Sequence, residues 1–279
     1  MDVNNDTETD NVQLSLEHVS FNYLDAQIAL KDITFSCRKG EKIAFLGANG
    51  CGKSTLQKIL SGLIFPTTGR FMISGKEVNE KLLEDTGFNF WFRKRVGFIF
   101  QHSDAQLFSS SVREEIAFGP MQLGLAQDEV CQRVEDILNM LAITDLADRP
   151  PYKLSGGEKK KVAIASVLVM NPDILILDEP TNGLDPRTQR WLINLLYQLG
   201  QAGKTIIMAT HQLNIVPEIA DRVIVFNEQH EIAAEGSPAG ILTNRDLLLQ
   251  VNLIDPDFHA HWSHGGLQIH YHNPAALKR

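Results

Sequence analysis

KIAFLGANGCGKSTLQKILS, residues 42–61, decides how the rest of the chain reads. Ile43 to Leu46 form an unbroken apolar run, as expected of a strand buried on both faces. Three glycines follow at 47, 50 and 52, and Lys53 to Ser61 is compatible with a helix. Gly47 to Ser54 satisfies G-x-x-x-x-G-K-[ST] between strand and helix, where a phosphate cradle needs it. The glycines let the backbone curl so that successive N–H groups can face β- and γ-phosphate oxygens. The helix start adds roughly half a positive charge and Lys53 a full one, and the Ser54 hydroxyl can ligate Mg²⁺. Gly47, Ala48, Asn49, Gly50, Cys51, Gly52, Lys53, Ser54 and Thr55 are therefore candidate nucleotide contacts. The loop alone does not separate transporters from kinases or GTPases.

Outward from this loop, Val12 to Tyr23 alternates apolar and polar residues and ALKDITFSCRKG reads as a second strand, an antiparallel opening. Residues 71 to 95 read as irregular, with an aromatic cluster FNFWF, before VGFIF resumes a buried strand ending at Gln101. Val130, Val134, Ile137, Leu138 and Leu141 share one helical face, so about 102–166 is expected to be a helical subdomain inserted between halves of a sheet. After Pro172, the runs ILIL, TIIMAT and RVIVF alternate with helix-like stretches such as WLINLLYQLG, the rhythm of a parallel α/β sheet. EIAAEG is expected to end the core. The division is thus a disordered lead over 1–11, a nucleotide-binding domain over 12–236 and an extension over 237–279.

Composition narrows the function classes. With 279 residues and 43% hydrophobic content the chain can bury an ordinary core. A net charge of -8 argues against a general affinity for nucleic acid, which needs clustered cations. The three cysteines, Cys37, Cys51 and Cys131, form no CxxC pair and fit a reducing cytosol. No signal peptide is visible at the start, and no stretch approaches the ~20 apolar residues of a membrane span, so any membrane role has to come through partners.

Downstream of the loop stand LSGGE (154–158), ILILDEP with Asp178 and Glu179, GLDP with Asp185, and ATH with His211, in that order. With these the chain resembles the ABC-type ATPases over residues 12 to 236. The resemblance implies a P-loop α/β core, an antiparallel β subdomain, an inserted helical subdomain, and ATP with Mg²⁺ as ligands. It assigns the Mg²⁺ shell to Ser54, Gln101 and Asp178. Glu179 would polarise the attacking water, His211 would contact the γ-phosphate, and Gln101 would occupy the Q-loop. Tyr23 would stack on adenine; a buried core tyrosine is the alternative. Ser155, Gly156 and Gly157 would close over a nucleotide held by another subunit, with Asp185 working across that interface. A second ATPase subunit, identical or related, is the implied partner. A simpler reading of the same residues is a capping box, Ser155 as cap and Glu158 three residues on, and both can hold. The family more often has Gln at 158. Lys159 to Lys161 could offset the added charge or form a solvated face.

VGFIFQHSDAQLFSSSVREEIAFGP, residues 96–120, is similar to the ATPases of energy-coupling-factor importers of the cobalt and nickel branch. That likeness implies integral-membrane partners and a peripheral position at the cytoplasmic face of the membrane. An ordinary strand, loop and helix with Ser111 and Glu114 as capping box is the plain alternative. A vitamin cargo stays open. A soluble ABC protein acting on DNA or ribosomes would be expected to carry coiled-coil arms or paired ATPase domains, and neither is visible. Five of the nine histidines, His259, His261, His264, His270 and His272, lie in the tail. HAH and HYH put imidazoles at i and i+2 of an extended chain, which suits Ni²⁺, Co²⁺ or Zn²⁺; a solvated tail is the alternative.

Overall fold

The computed structural model describes residues 11–24, 27–102, 106–255, 258–263 and 266–271, the last two stretches through their backbone. Residues 1–10, where a disordered lead was expected, lie outside these. The chain divides into two compact units, one of residues 1–80 with 196–279 and the other of residues 81–195.

The first unit opens with β1 (Val12–Asn22), β2 (Ile28–Arg38), β3 (Lys42–Leu46), helix α1 (Lys53–Leu60), β4 (Thr68–Ile73) and β5 (Lys76–Glu77). β1 is the hinge of an antiparallel sheet ordered β2-β1-β4-β5. Its alternating pattern buries Leu14, Leu16 and Val19 on one side.

At the unit boundary α2 (Glu80–Glu84) begins, followed by α3 (Thr86–Arg93), β6 (Val96–Ile99), α4 (Val112–Gln122), α5 (Gln127–Met140), α6 (Gly156–Leu168), β7 (Ile174–Asp178) and α7 (Pro186–Gln201). The aromatic cluster expected to be irregular is the helix α3. Asp85 caps it by accepting the Phe88 N–H at 2.8 Å, Phe92 is fully buried, and the Trp91 ring carries the Arg95 guanidinium 4.7 Å from its centre. Of the five residues expected on one helical face, α5 buries Val130, Val134, Ile137 and Leu138, and the fifth, Leu141, is buried at its C-cap; α4 packs on both α5 and α6. Ser111 caps α4, but the expected box is only half formed: the Glu114 carboxylate accepts from the Ser110 hydroxyl instead of reaching back to its cap. β6 and β7 pair in parallel, with Ile99 opposite Leu177.

The chain then returns to the first unit with β8 (Thr205–Ala209), α8 (Val216–Ile219), β9 (Arg222–Phe226), β10 (Ile232–Gly236), α9 (Pro238–Thr243), α10 (Arg245–Gln250), β11 (Phe258–Ser263) and β12 (Gly266–Tyr271). β3 lies between β8 and β9, parallel to both, and β10 runs antiparallel on β9. The core does not end at β10. Ile241, Leu242, Leu248 and Val251 are buried in one cluster with Ala44, Leu46, Val223 and Val225 of β3 and β9. Helices of six residues are too short for their apolar spacing to register in the sequence. Among the described residues no helix is long and apolar enough to cross a membrane.

Candidate nucleotide site

The loop in the first unit is shaped by lack of space. A Cβ on Gly47 would lie 2.6 Å from the Cys51 sulfur and 2.8 Å from the Phe226 carbonyl oxygen. One on Gly52 would lie 2.3 Å from the Ala29 carbonyl oxygen, and Gly52 has φ +109°. Neither position admits a side chain. Gly52 is also the N-cap of α1, and no side chain caps that helix, so its first-turn amides keep their donors for an oxygen ligand. Lys53 is buried with its ammonium across the loop, donating to the carbonyls of Gly47 at 2.7 Å and Ala48 at 2.9 Å. Cys51 is buried beneath, 3.7 Å from that ammonium, whereas Asn49, Gly50 and Ser54 are exposed.

Tyr23 is 41% exposed, which rules out the core alternative. Its hydroxyl shares a 3.1 Å hydrogen bond with Thr55 in α1, and its ring meets Phe21 edge-on. Thr210 donates its N–H to the Phe45 carbonyl at 3.1 Å, tying the end of β8 to the end of β3. Exposed His211 and the glycine loop thus leave from neighbouring strand ends, the edge where open α/β sheets bind ligands.

The second unit repeats this logic. Gln101 follows β6 by two residues and Asp178 ends β7, at the matching edge of the parallel pair. Asp178 and Glu179 are both buried. Asp178 Oδ1 has no hydrogen-bond partner among the described residues. An oxygen donor of that kind fits Mg²⁺, as do a serine hydroxyl and an amide oxygen. Glu179 has φ +42°, a left-handed conformation that costs a non-glycine residue roughly 1–2 kcal/mol.

Ser155 caps α6 with a complete box. Glu158 N–H donates to the serine hydroxyl at 3.4 Å, and Glu158 Oε2 accepts from the Ser155 N–H at 2.8 Å and its hydroxyl at 2.7 Å. These bonds, the serine hydroxyl foremost, hold the Glu158 carboxyl below the usual glutamate range. Gly156 faces open space. A Cβ on Gly157 would meet Thr188 Oγ1 at 3.0 Å and Asp185 Oδ2 at 3.8 Å, so the LSGG turn and the start of α7 lie side by side. Asp185 accepts from the Thr188 hydroxyl at 2.6 Å, which with the backbone N–H groups of Thr188 and Arg187 holds its carboxyl below the usual range.

Two residues here carry roles that the sequence did not suggest. Lys160, in a lysine run that could have been a solvated face, is buried and donates to the carbonyls of Phe100 at 3.3 Å and Gln101 at 3.5 Å. Its neighbour Lys161 sits over the Trp191 ring. Glu115 is buried and accepts the N–H groups of Phe108 and Ser109 at 2.9 and 2.7 Å, fixing the backbone beside Phe108. Nothing in one sequence separates an inward lysine or glutamate from its exposed neighbours. Of the tail histidines, His259, His261 and His270 fall within β11 and β12, while His264 and His272 lie outside the described residues.

Residues 30–182, more than half of the chain, match the family model described as "ABC transporter". The chain belongs to that family and is one of its ATP-binding, ATP-hydrolysing members. It is 45% identical to the nickel import ATP-binding protein LarO of Lactiplantibacillus plantarum over 84% of this chain and 94% of that one. It is 41% identical to the energy-coupling factor transporter ATP-binding protein EcfA of Methanothermobacter thermautotrophicus, over 86% and 76%. Among solved structures, cbiO1 of Clostridium perfringens, part of the ABC transporter complex cbiONQ, superposes with a TM-score of 0.75 at 39% identity, covering 88% of this chain and 96% of that one. The ATP-binding cassette MJ0796, seen as a dimer with ADP and Pi, gives 0.72 at 29% identity, over 81% and 98%.

Proposed function

We propose that this chain is the motor of an energy-coupling-factor importer for cobalt or nickel ions, working as one of a pair of ATPase subunits beneath integral-membrane partners at the cytoplasmic face of the membrane. One observation carries the reading. The chain has two glycine-bearing helix starts, the bare one of α1 and the serine-capped one of α6, while one triphosphate needs a single cradle. A second copy, or a close relative, then brings its Ser155, Gly156 and Gly157 over the γ-phosphate held by the first, with Asp185 bridging between copies. The dimeric MJ0796 cassette supports that arrangement, and the names of LarO and cbiO1 support the cargo and the membrane partners. Phe108 and Phe118 form an exposed edge-to-face pair with exposed Met121 nearby in α4, an apolar patch of the kind a partner subunit covers.

In this reading the loop amides and Lys53 hold the β- and γ-phosphates, and Tyr23 offers its ring to adenine. Glu179 takes a proton from the attacking water, and His211 and Gln101 orient that water and the γ-phosphate. Ser54, Gln101 and Asp178 would hold Mg²⁺, which when bound offsets charge on the phosphate oxygens. Removing the base costs about 10²–10⁴ in rate, so Glu179→Gln should abolish measurable turnover while ATP still drives dimerisation on a sizing column. Normal hydrolysis by that variant overturns the assignment. For cargo, plasma mass spectrometry of cells with and without this protein should show lower cobalt or nickel in its absence. Unchanged levels of both would defeat the metal reading and leave the ATPase intact.

A further inference from the structure

The connection from β6 to α4 starts at Phe100 and carries Gln101, and side chains from three places hold its main chain. Gln106 accepts the Phe100 N–H at 3.2 Å, and Lys160 of α6 donates to the carbonyls of Phe100 at 3.3 Å and Gln101 at 3.5 Å. Toward the far end, Glu115 of α4 accepts the N–H groups of Phe108 and Ser109. α4 and α6 pack on one another, so a cation and an anion from one helix pair fix the two ends of the connection.

Lys160 is only 2% exposed. Removing an ammonium from water is unfavourable, and an apolar side chain of similar volume in such a place is commonly neutral or stabilising. Stability alone therefore does not account for a cation here, and its effect is on position. An ammonium carries three donors and no acceptor, and two successive carbonyls turned toward it cannot swing away without leaving a buried charge under-solvated. The backbone so held is the origin of the Gln101 side chain. Gln101 stands two residues beyond Ile99, which lies opposite Leu177, so the next residues of the paired strand, Asp178 and Glu179, leave from the same edge. Both of those carboxyl residues are buried, and a displacement of the main chain at 101 changes the span from its amide to them.

We propose that Lys160 is a positioning residue for ATP hydrolysis: its ammonium, through the carbonyls of Phe100 and Gln101, sets where the Gln101 amide stands relative to Asp178 and Glu179. It acts through Gln101 and touches no reacting atom. This role rests on the one proposed above for Gln101, at the attacking water and the γ-phosphate.

The test is a double-mutant cycle on the full-length protein, with kcat measured at saturating Mg·ATP and ATP affinity by fluorescent-nucleotide titration. Lys160→Met keeps the stem and removes the donors. It should lower kcat roughly ten- to a hundredfold, the cost of a misplaced group, with ATP affinity changed by less than about twofold. In a Gln101→Ala background the same substitution should cost less than about twofold more, because the group it positions is gone. Should the methionine chain fail to fold, Lys160→Gln, which retains an amide donor on a stem one bond shorter, takes its place in the cycle. Full kcat in Lys160→Met, or an equal loss with and without the Gln101 amide, overturns the proposal. Full kcat in Gln101→Ala alone sinks the role of Gln101 itself and this one with it, whereas slow turnover there with additive losses sinks only the part given to Lys160.

Discussion

The helix start at Gly52 is bare, whereas the one at Ser155 is already occupied by its own sequence. At α1 the cap is a left-handed glycine with no side chain to offer, the first-turn amides are uncapped, and a buried ammonium lies across the loop. At α6 the serine hydroxyl and the Glu158 carboxylate satisfy one another and the N–H groups of Ser155 and Glu158. The first is built to receive an anion as it stands. The second is a local polar circuit in which the Ser155 hydroxyl donates its hydrogen bond to Glu158, so that hydroxyl can donate to a phosphate only by exchanging that partner. Under the proposed function, affinity belongs to α1 and conditional engagement to α6.

Substitutions can break this contrast, beginning with the largest effect. Gly52→Ala forces a Cβ within 2.3 Å of a carbonyl oxygen at a left-handed φ. Left-handed strain of roughly 1–2 kcal/mol and a steric cost of about 1–3 kcal/mol together predict about a hundredfold or greater loss of nucleotide affinity. Gly156→Ala, whose Cβ would meet open space, should leave single-chain affinity unchanged. Fluorescent-nucleotide titration of both variants checks the pair, and equal losses would erase the distinction. Lys53→Ala removes charge-assisted hydrogen bonds of about 1.5–3 kcal/mol and should weaken ATP binding roughly ten- to a hundredfold in the same assay. Ser155→Ala should cost about 1 kcal/mol of stability, read by denaturant midpoint, and slow turnover without changing ATP affinity.

The smallest effect is expected from Glu158→Gln, which keeps the box geometry but gives up the charge. Because the folded carboxyl is more acidic than the unfolded one, its stabilising contribution is complete above about pH 5 and fades as pH falls through the lower folded value. The group is only partly buried, so solvent screening keeps the difference small. Stability of the two proteins should differ slightly at pH 7 and converge in acid. Divergence in acid would mean that Glu158 is held some other way.

Much of this design could be read from residues alone. The strands β3, β7, β8 and β9 announced themselves as continuous apolar runs because they are buried on both faces, and the loop because glycine spacing and lysine are its geometry. The Ser155 box was legible, being local in sequence. Interactions between segments were not. Ser111 predicted a box that Ser110 intercepts, since two neighbouring serines compete for one carboxylate. FNFWF carries no polar period, so α3 was hidden until its Asp85 cap and buried Phe92 were seen. The Gly157 fit against Thr188 and the inward course of Lys160 join residues tens of positions apart, and no spacing rule encodes such pairs.

Lys160 has a mechanical consequence. Its ammonium grips the carbonyls at 100 and 101, while its backbone lies little more than one turn into the helix that starts at Ser155. A helical turn hardly stretches, so a shift of the Gln101 backbone tugs on the end of α6 through one side chain. The backbone at residues 100 and 101 and the serine that caps α6 are thus geared together, and a Lys160→Met chain would keep both parts but let them slip.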